Sequence, residues 1–284
     1  MTATSFRFGT VGSPTSTPKK PGGSVGAVMQ IAELGLNALE LGWVRSVRVS
    51  EASCAEIRAA ALQKDVAISV HAPYYINLNA GDEEWPKSRQ RLMDAAHYGN
   101  LAGATDIVFH PGSYFGQPAE AVLPLAIRRL EGCVRELEAA GNPVTLRPEV
   151  MGKSAMLGSF EDTLAMSRAV PGVFPCLDFA HMHARPGDGS MNSLEEWRRI
   201  LDTYGEALGA DALQRMHIHM SGIHYSEKGE REHIPLQEAD LDLDAILEAL
   251  KEFECAGRIM CESPEAVLDD DAKLIQQRWN SLIQ

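Results

Sequence analysis

Short apolar segments rich in β-branched residues alternate with longer amphipathic segments along the whole chain. The short segments predict buried β-strands, and the longer ones repeat apolar residues at helical spacing. The predicted strands are residues 6–11, 38–43, 67–72, 106–110, 144–149, 173–179, 215–220 and 258–262. The predicted helices lie near residues 25–35, 52–63, 86–102, 119–139, 160–169, 194–206, 243–253 and 265–281.

Three serines mark predicted helix starts, because a serine side chain can cap the first turn. They are Ser50, Ser159 and Ser193. Eight strand–helix alternations predict an α/β fold in which a parallel sheet closes into a (β/α)8 TIM barrel. An open doubly wound sheet is the alternative, but the loop GTVGSPTSTPKKPGG lacks the glycine pattern of a dinucleotide site. No linker divides the chain, so residues 1–284 are expected to form a single domain.

The composition is that of a globular protein, with 45% hydrophobic residues and 23% charged residues. The sequence contains no run of about 20 apolar residues that would cross a membrane, and its start does not resemble a secretory signal. Five cysteines without a C-x-x-C pair favour a reducing compartment. We therefore expect a cytoplasmic protein without a membrane partner, and a barrel of this size needs no second subunit to fold, so a monomer is expected.

The net charge of −13, from 26 basic and 39 acidic residues, argues against nucleic-acid binding through bulk positive charge. A bound metal cluster would add positive charge locally without appearing in a residue count.

Residues that bind metals or transfer protons stand at the predicted strand ends. In a (β/α)8 barrel they meet at one rim, because the carboxyl ends of the strands lie together. Eight of the nine histidines fall on these ends or in the loops that follow, and only His97 lies inside a predicted helix. The strand-end residues are Glu40, His71, His110, Glu149, Asp178, His181, His217, His219 and Glu262, and the loop after strand seven adds His233.

This residue pattern favours a multinuclear metal site. A single histidine is more often structural than a ligand, but unrelated core histidines would not gather at one rim. Imidazoles and carboxylates without thiolates suit Zn²⁺, Mn²⁺ or Fe²⁺. Seven or more ligands exceed the four that one zinc ion needs, so the sequence predicts two or three ions. Such centres characteristically serve phosphoester hydrolysis.

Seven motifs, taken in order, resemble the endonuclease IV family of apurinic/apyrimidinic (AP) endonucleases, within the xylose isomerase-like superfamily. They are SVHAPYYINL, VFHPGSY, PEVMGK, CLDFAHMHA, MHIHMSG, GEREHIPL and MCESP. The resemblance spans nearly the whole chain, and GEREHIPL is closer to the archaeal-type branch. It implies hydrolysis of the phosphodiester 5′ to an abasic site in damaged duplex DNA, as part of base-excision repair.

The resemblance also implies a trinuclear zinc centre in which Glu149 and Glu262 are the catalytic carboxylates that orient the nucleophile. By motif position, the ligands are His71, His110 and Glu149 for one ion, Glu149, Asp178, His217 and Glu262 for the second, and His181 and His233 for the third.

The third site departs from the family pattern, which has an aspartate two residues before the last histidine. This sequence has Arg231 there, and an arginine cannot coordinate zinc. Either Glu230 or Glu232 would replace it after a small loop shift, and Glu230 is preferred. The third site is therefore expected to be weaker, differently ligated or empty.

The resemblance places DNA contacts in the loops of the rim. Tyr74 matches a position that wedges into DNA, and either Arg45 or Arg48 matches a DNA-probing position. Phosphate contacts are expected from lysines in two loops. Packed rim aromatics and solvated surface charges are the alternative roles. The predicted DNA-contacting residues are Tyr74, Arg45, Arg48, Lys19, Lys20 and Lys153.

A divalent-metal sugar isomerase or epimerase of the xylose isomerase-like superfamily is the alternative enzyme. One ion held by Glu149, Asp178, His217 and Glu262 would suffice for it, and the acidic charge suits a sugar substrate. It has no need of the other four rim histidines. A non-catalytic binder of damaged DNA or metal is the third reading. The metal count separates the two enzymes, because about one ion favours the sugar enzyme and two or three favour the phosphodiesterase.

Overall fold

The computed structural model describes residues 6–284, and its eight main strands form one parallel sheet. Neighbouring strands follow the order β5-β4-β3-β2-β1-β8-β7-β6. Surrounding helices complete the predicted (β/α)8 barrel, which the structure confirms. The strands are β1 Phe6–Val11, β2 Ala38–Gly42, β3 Ala67–His71, β4 Ala104–Phe109, β5 Thr145–Pro148, β6 Cys176–Asp178, β7 Met216–Met220 and β8 Gly257–Cys261.

The barrel closes between β5 and β6 through isolated bridges instead of a continuous ladder. Leu146 pairs with Val173, and Glu149 pairs with Cys176. Pro148 ends β5 and Pro175 precedes β6, and neither residue has a backbone N–H to donate. Strand six is accordingly shorter than the predicted segment 173–179.

Each barrel strand is followed by a long helix. The cap predictions are confirmed, because Ser50, Ser159 and Ser193 accept hydrogen bonds from first-turn backbone N–H groups. The helices are α1 Gly23–Glu33, α2 Glu51–Lys64, α3 Trp85–Leu101, α4 Ala119–Ala139, α5 Phe160–Ala169, α6 Leu194–Leu208, α7 Leu243–Glu252 and α8 Leu268–Ile283.

The hydrophobic core lies between the helices and the outside of the barrel. Helix α6 shows how the sequence builds it, with Trp197, Ile200, Leu201 and Tyr204 buried at helical spacing. The Trp197 ring meets Phe179 edge to face, with ring centroids 5.3 Å apart. No helix within residues 6–284 is long and apolar enough to cross a membrane.

Several short elements at the carboxyl rim were not predicted. A hairpin of Gly222–Ser226 and Gly229–Ile234 follows β7, and a short helix Phe179–Ala184 follows β6 directly. Strand pair Gly112–Ser113 and Met156–Leu157 ties the loops after β4 and β5 together. These elements are too short to show a periodic pattern, yet they shape the rim.

The opposite, amino-terminal end of the barrel is held by a buried ion network. Asp106 lies on β4 with 5% of its surface exposed. Its carboxylate accepts a hydrogen bond from Arg147 Nε at 2.6 Å and pairs with Arg258 Nη2 at 3.2 Å. Burial would raise the pKa of Asp106, but Arg147 and Arg258 outweigh burial and hold that pKa well below its usual value.

We expect the substitution Asp106→Asn to destabilise the protein by about 3–5 kcal/mol at pH 7, because it leaves buried arginines without their counter-charge. A carboxyl with a depressed folded-state pKa stabilises the fold above its unfolded pKa of about 4 and loses that contribution as the pH falls further. Urea unfolding should show the same difference in unfolding free energy between the variant and the wild type at pH 7 and pH 5. That difference should be smaller at pH 3.5.

The matched control is Asp202→Asn on the exposed side of α6, which should change the unfolding free energy by less than about 0.5 kcal/mol. Equal stability of Asp106→Asn and the wild type at pH 7 would contradict a stabilising role for this network.

Candidate metal centre

Four groups of ligand-type side chains lie within residues 6–284, and three of them, linked by shared carboxylates, form a cluster at the carboxyl rim. The fourth, Cys176, His217 and His219, shares only His219 with that cluster. Within each group, the ligand atoms lie within 4.8 Å of one another. Glu149 belongs to two groups and Asp178 to two, so these three groups form one continuous cluster. The three groups are His71, His110 and Glu149, then Glu149, Asp178, His219 and Glu262, then Asp178, His181 and His233.

The first group centres on one oxygen of Glu149. His71 Nε2 lies 3.1 Å from Glu149 Oε2, and His110 Nε2 lies 3.3 Å from the same oxygen. His71 Nδ1 donates to the carbonyl of Ala72 at 3.0 Å, so Nε2 is the nitrogen that faces the cluster. His71 and Glu149 are buried, and His110 is half-buried at the edge of the pocket.

The second group holds buried ligand atoms that make no hydrogen bond. His219 Nδ1 lies 3.2 Å from Glu262 Oε2 and 3.7 Å from Glu149 Oε1. Those three atoms and Asp178 Oδ2 have no hydrogen-bond partner among residues 6–284. Leaving several buried polar atoms unsatisfied is costly. A divalent cation would satisfy them together, and the donor set fits Zn²⁺ or a similar ion.

The third group contains two histidines that face each other. His181 Nδ1 donates to the carbonyl of Val150 at 2.9 Å, and His233 Nδ1 donates to the carbonyl of Glu262 at 2.8 Å. Their Nε2 atoms then both present lone pairs, and they are 3.2 Å apart. Two lone pairs at that distance need a proton or a metal ion between them. The residues of this group therefore also fit a cation.

Glu230 reaches the third group from the hairpin. Its Oε2 atom lies 3.6 Å from His181 Nε2, whereas Arg231 is exposed. The antiparallel pairing of the hairpin explains the difference, since Tyr225 pairs with Glu230 beside a register shift. The structure thus brings the glutamate preferred from the sequence beside His181. Glu232 is exposed and lies 3.7 Å from His224, outside the cluster.

The structure corrects the choice of histidine on β7. His219, which the sequence assigned no ligand role, takes the place expected of His217 beside Asp178 and Glu262. Both histidines point into the barrel, because they are two residues apart on one strand. His219 is nearer the rim by about 7 Å of strand length. The alternation of side chains along a strand identifies which residues point into the barrel. It does not identify which of those residues lies near enough to the rim to reach the cluster.

Glu40 on β2 fixes both of these histidines from across the barrel. Its Oε1 accepts from His219 Nε2 at 2.9 Å, and its Oε2 accepts from His217 Nε2 at 2.8 Å. Ser69 donates a third hydrogen bond at 2.8 Å. Because His219 donates through Nε2, its Nδ1 lone pair faces the cluster. A carboxylate that orients a histidine in this way is the usual support of a metal ligand.

The pKa values reflect this crowding of charges. Burial lowers the pKa of His71, but the hydrogen bond and charge of Glu149 outweigh it and raise that pKa to about 9. Burial raises the pKa of Glu262, but His219 and His233 outweigh it and bring that pKa to about 2. For His217 burial prevails over Glu40, and the pKa falls to about 4. His217 is therefore neutral and Glu262 is ionised, whereas burial raises the pKa of Asp178 above its usual value.

His181 is also placed differently from the prediction, which put it on strand six. It lies in the short helix Phe179–Ala184, and its backbone N–H donates to Asp178 Oδ1 at 2.7 Å. This turn brings His181 back towards Glu149. In the same helix, His183 bonds the carbonyl of Met191 and Asp240, so both of its ring nitrogens are occupied.

The loop after β3 presents aromatic side chains beside the cluster. Tyr74 is 40% exposed and Tyr75 is 53% exposed, with ring centroids 4.4 Å apart. The Tyr74 N–H donates to the carbonyl of Val44, which joins this loop to the loop that carries Arg45. The hydrogen bond with Tyr74 raises the pKa of the Tyr75 phenol, and the positive charge of Arg45 is near enough to oppose that rise. Arg45 thus belongs to the aromatic part of the rim.

The other predicted DNA-contacting residues are dispersed. Arg48 lines a hollow with Ser50 and Glu56 at the start of α2. Lys153 is exposed in the loop after β5, where its backbone pairs with Gly229 of the hairpin. The loop after β1 carries the last two, Lys19 and Lys20, which are both exposed.

The family model described as xylose isomerase-like TIM barrel matches residues 28–278 of this chain. An uncharacterized protein of Methanocaldococcus jannaschii, MJ0133, is 36% identical over 276 residues, which are 97% of each chain. Endonuclease 4 of Thermus thermophilus is 30% identical over 208 residues, which are 70% of this chain and 72% of that protein.

Two solved structures whose names give different activities resemble this fold to nearly the same extent. A D-tagatose 3-epimerase-like protein superposes with a TM-score of 0.72 at 20% identity, covering 98% of this chain and 100% of the other. An endonuclease IV from Thermus thermophilus superposes with a TM-score of 0.71 at 22% identity, covering 97% of this chain and 99% of the other. At such identities the likeness shows the fold alone.

We expect Glu40→Gln to weaken binding of one metal ion by about 10- to 100-fold. A glutamine has one acceptor oxygen, so its amide N–H₂ would face the N–H of one histidine and force that ring to change tautomer. A proton moved onto His219 Nδ1 blocks the atom that faces Glu262. Metal content after dialysis against a graded chelator, measured by mass spectrometry, should show the loss.

The matched control is Ser69→Ala, which removes one hydrogen bond to Glu40 and keeps both bonds from the histidines. It should retain all metal ions. Unchanged metal affinity in Glu40→Gln would show that Glu40 does not orient His219.

Proposed function

Because this chain belongs to the xylose isomerase-like TIM barrel family, we propose that it is a metal-dependent, zinc-type AP endonuclease of the endonuclease IV kind. It would hydrolyse the phosphodiester 5′ to abasic sites in duplex DNA. The 30% identity to Endonuclease 4 of Thermus thermophilus supports this proposal, as does the number of ligand groups at the rim.

One observation carries the proposal. The cluster has three ligand groups linked by shared carboxylates, and the facing nitrogens of His181 and His233 would hold a cation beside the group around Glu262. An enzyme that needs one ion has no use for the first and third groups. Several neighbouring ions are typical of phosphoester hydrolysis, where they activate water and neutralise charge on the phosphate.

The proposed ligands follow the geometry of the cluster. His71, His110 and Glu149 would hold one ion. Glu149 belongs to the first and second groups, and Asp178 belongs to the second and third groups. The second ion would be held by Glu149, Asp178, His219 and Glu262, and the third by Asp178, His181, His233 and Glu230.

The chain's own carboxylates would orient the nucleophile. Glu149 Oε1 and Glu262 Oε2 are buried, ionised and without a hydrogen-bond donor among the described residues. Each can accept a proton from a water molecule in the pocket. His219 Nδ1 lies 3.2 Å from Glu262 Oε2, so one cation could contact both atoms.

The aromatic rim would recognise the damaged strand. Tyr74 and Tyr75 lie three and four residues after His71 and are exposed, so they can stack on the bases that flank a missing base. Arg91 lies over the Tyr75 ring at 5.7 Å and adds positive charge beside it. An abasic nucleotide can be turned out of the duplex at low cost, because no base has to be unstacked. Arg45 and Lys153 are the cations proposed for nearby phosphates.

A sugar epimerase remains the second candidate, and one observation favours it. The second group alone supplies three carboxylates and a histidine, which is a complete site for a single divalent ion. The fold is equally close to a D-tagatose 3-epimerase-like protein. In that enzyme Glu149 and Glu262 would exchange a proton with a sugar carbon instead of orienting water.

The direct test is cleavage of duplex DNA that carries one abasic analogue resistant to β-elimination, using protein of measured metal content. We expect a nick 5′ to the lesion that leaves a 3′-hydroxyl, no nick in undamaged duplex and no activity after chelation. Glu149→Gln should abolish the nick and remove at least one metal equivalent, because this residue belongs to two ligand groups.

A protein with two or three ions that leaves the abasic duplex intact would overturn the AP endonuclease assignment. About one ion per chain, with interconversion of ketohexose epimers, would establish the sugar enzyme in its place.

We expect Tyr74→Ala to weaken binding of abasic duplex by about 1–3 kcal/mol through lost stacking. Metal content should be unchanged, because the Tyr74 hydroxyl bonds only Tyr75 at 3.2 Å. Tyr74→Phe is the matched control and should bind nearly as the wild type. Fluorescence anisotropy with labelled duplex measures both, and equal affinities of the alanine variant and the wild type would exclude Tyr74 from DNA recognition.

A further inference from the structure

A second concave surface lies at the amino-terminal end of the barrel, opposite the metal centre. It encloses a cavity of about 410 Å³ where β1, β5, β7 and β8 begin. Four arginines line it, in a chain whose acidic residues outnumber its basic residues by 13. They are Arg7, Arg147, Arg215 and Arg258.

The positive charges of this arginine cavity are only partly neutralised. Asp106 is the one carboxylate in its lining among residues 6–284, and it is shared by Arg147 and Arg258. Asp65 pairs with Arg7 at 2.9 Å from outside the lining. Two guanidinium charges therefore remain in excess. Such a concentration of like charge attracts an anion even in an acidic protein.

Backbone contacts hold the arginines in place. Arg147 is buried, and it donates to the carbonyl oxygens of Pro175 and Arg215 at 3.3 and 2.9 Å. Arg258 donates to the carbonyl of Ile68 at 3.0 Å and to the Thr105 hydroxyl at 2.7 Å. These bonds use only part of the five N–H donors of each guanidinium. A ligand in the cavity would meet donors already fixed in position.

Arg215 is the least satisfied of the four. Its guanidinium lies over the Phe174 ring at 4.2 Å, and its side chain makes no hydrogen bond or ion pair with any residue that the structure describes. Stacking orients the planar group while its five N–H donors have no partner among residues 6–284. This is the arrangement in which arginine binds phosphate through two parallel hydrogen bonds.

We propose that this cavity binds the phosphate group of a small phosphorylated molecule. Its volume lies within the usual range for small-ligand sites. Arg215 is exposed at this cavity, whereas Arg147 lies buried in its wall, so a small anion would bind Arg215 directly and Arg147 would contribute its charge from behind. The site is independent of the metal centre and of the reaction proposed there.

Calorimetric titration of inorganic phosphate into the metal-loaded protein tests this inference. The metal centre can also take phosphate, so variants distinguish the two sites. We expect Arg215→Gln to lower the phosphate affinity of the arginine cavity at least tenfold, and Arg7→Gln to lower the affinity of the same site. The phosphate affinity of the metal centre should not change in either variant. DNA nicking and metal content should stay unchanged in both variants. Phosphate binding to the arginine cavity should also fall with added salt.

The matched control is Arg135→Gln on the exposed surface of α4, which removes the same charge away from the cavity and should leave phosphate affinity within twofold. Equal phosphate titrations for the wild type and the Arg7→Gln, Arg215→Gln double variant would overturn the proposal. So would phosphate binding that is lost entirely on chelation. If a single-stranded oligonucleotide bound the cavity and phosphate did not, the phosphate proposal would be wrong and the cavity would be a nucleic-acid-binding surface.

Discussion

The carboxylate of Glu149 is the group on which the arrangement of the rim depends. It is buried at the end of β5, and imidazoles from β3, β7 and the loops after β4 and β6 converge on it. A buried carboxylate is tolerated only when it is paired, so each of these elements is held by the same negative charge. The barrel closes beside this residue, at the Glu149–Cys176 bridge. The closure of the barrel and the cluster therefore meet at the same residue.

Below the rim, polar and charged side chains continue into a barrel interior that many TIM barrels fill with branched apolar residues. Glu40 joins His217 and His219 in the middle of the barrel, and Asp106 joins Arg147 and Arg258 at the far end. Each layer pairs a buried carboxylate with histidines or with arginines. These contacts orient the candidate metal ligands at one end and fix a cluster of arginines at the other.

A shared barrel does not decide between nucleic-acid hydrolysis and sugar epimerisation, because function resides in the site and not in the fold. The group around Glu262 would serve both chemistries. What distinguishes this chain is the pair His181 and His233, whose facing nitrogens call for a further cation, together with exposed Tyr74 and Tyr75. Both features belong to loops and short elements beyond the strands, which is where members of one fold family diverge.

The sequence by itself determined the eight strand–helix units, the three serine caps and the rim on which the ligands gather, because these follow from local periodicity and from strand direction. It also indicated that Glu230 would replace the missing aspartate. Only the tertiary structure decided that His219 and not His217 reaches the cluster, that Glu40 orients it, and that four arginines meet at the far end. Alternation along a strand repeats every two residues, so it assigns a face of the sheet. How deep an inward-facing side chain lies in the barrel depends on the stagger of strands that are distant in sequence. The same stagger decides which residue it contacts across the barrel.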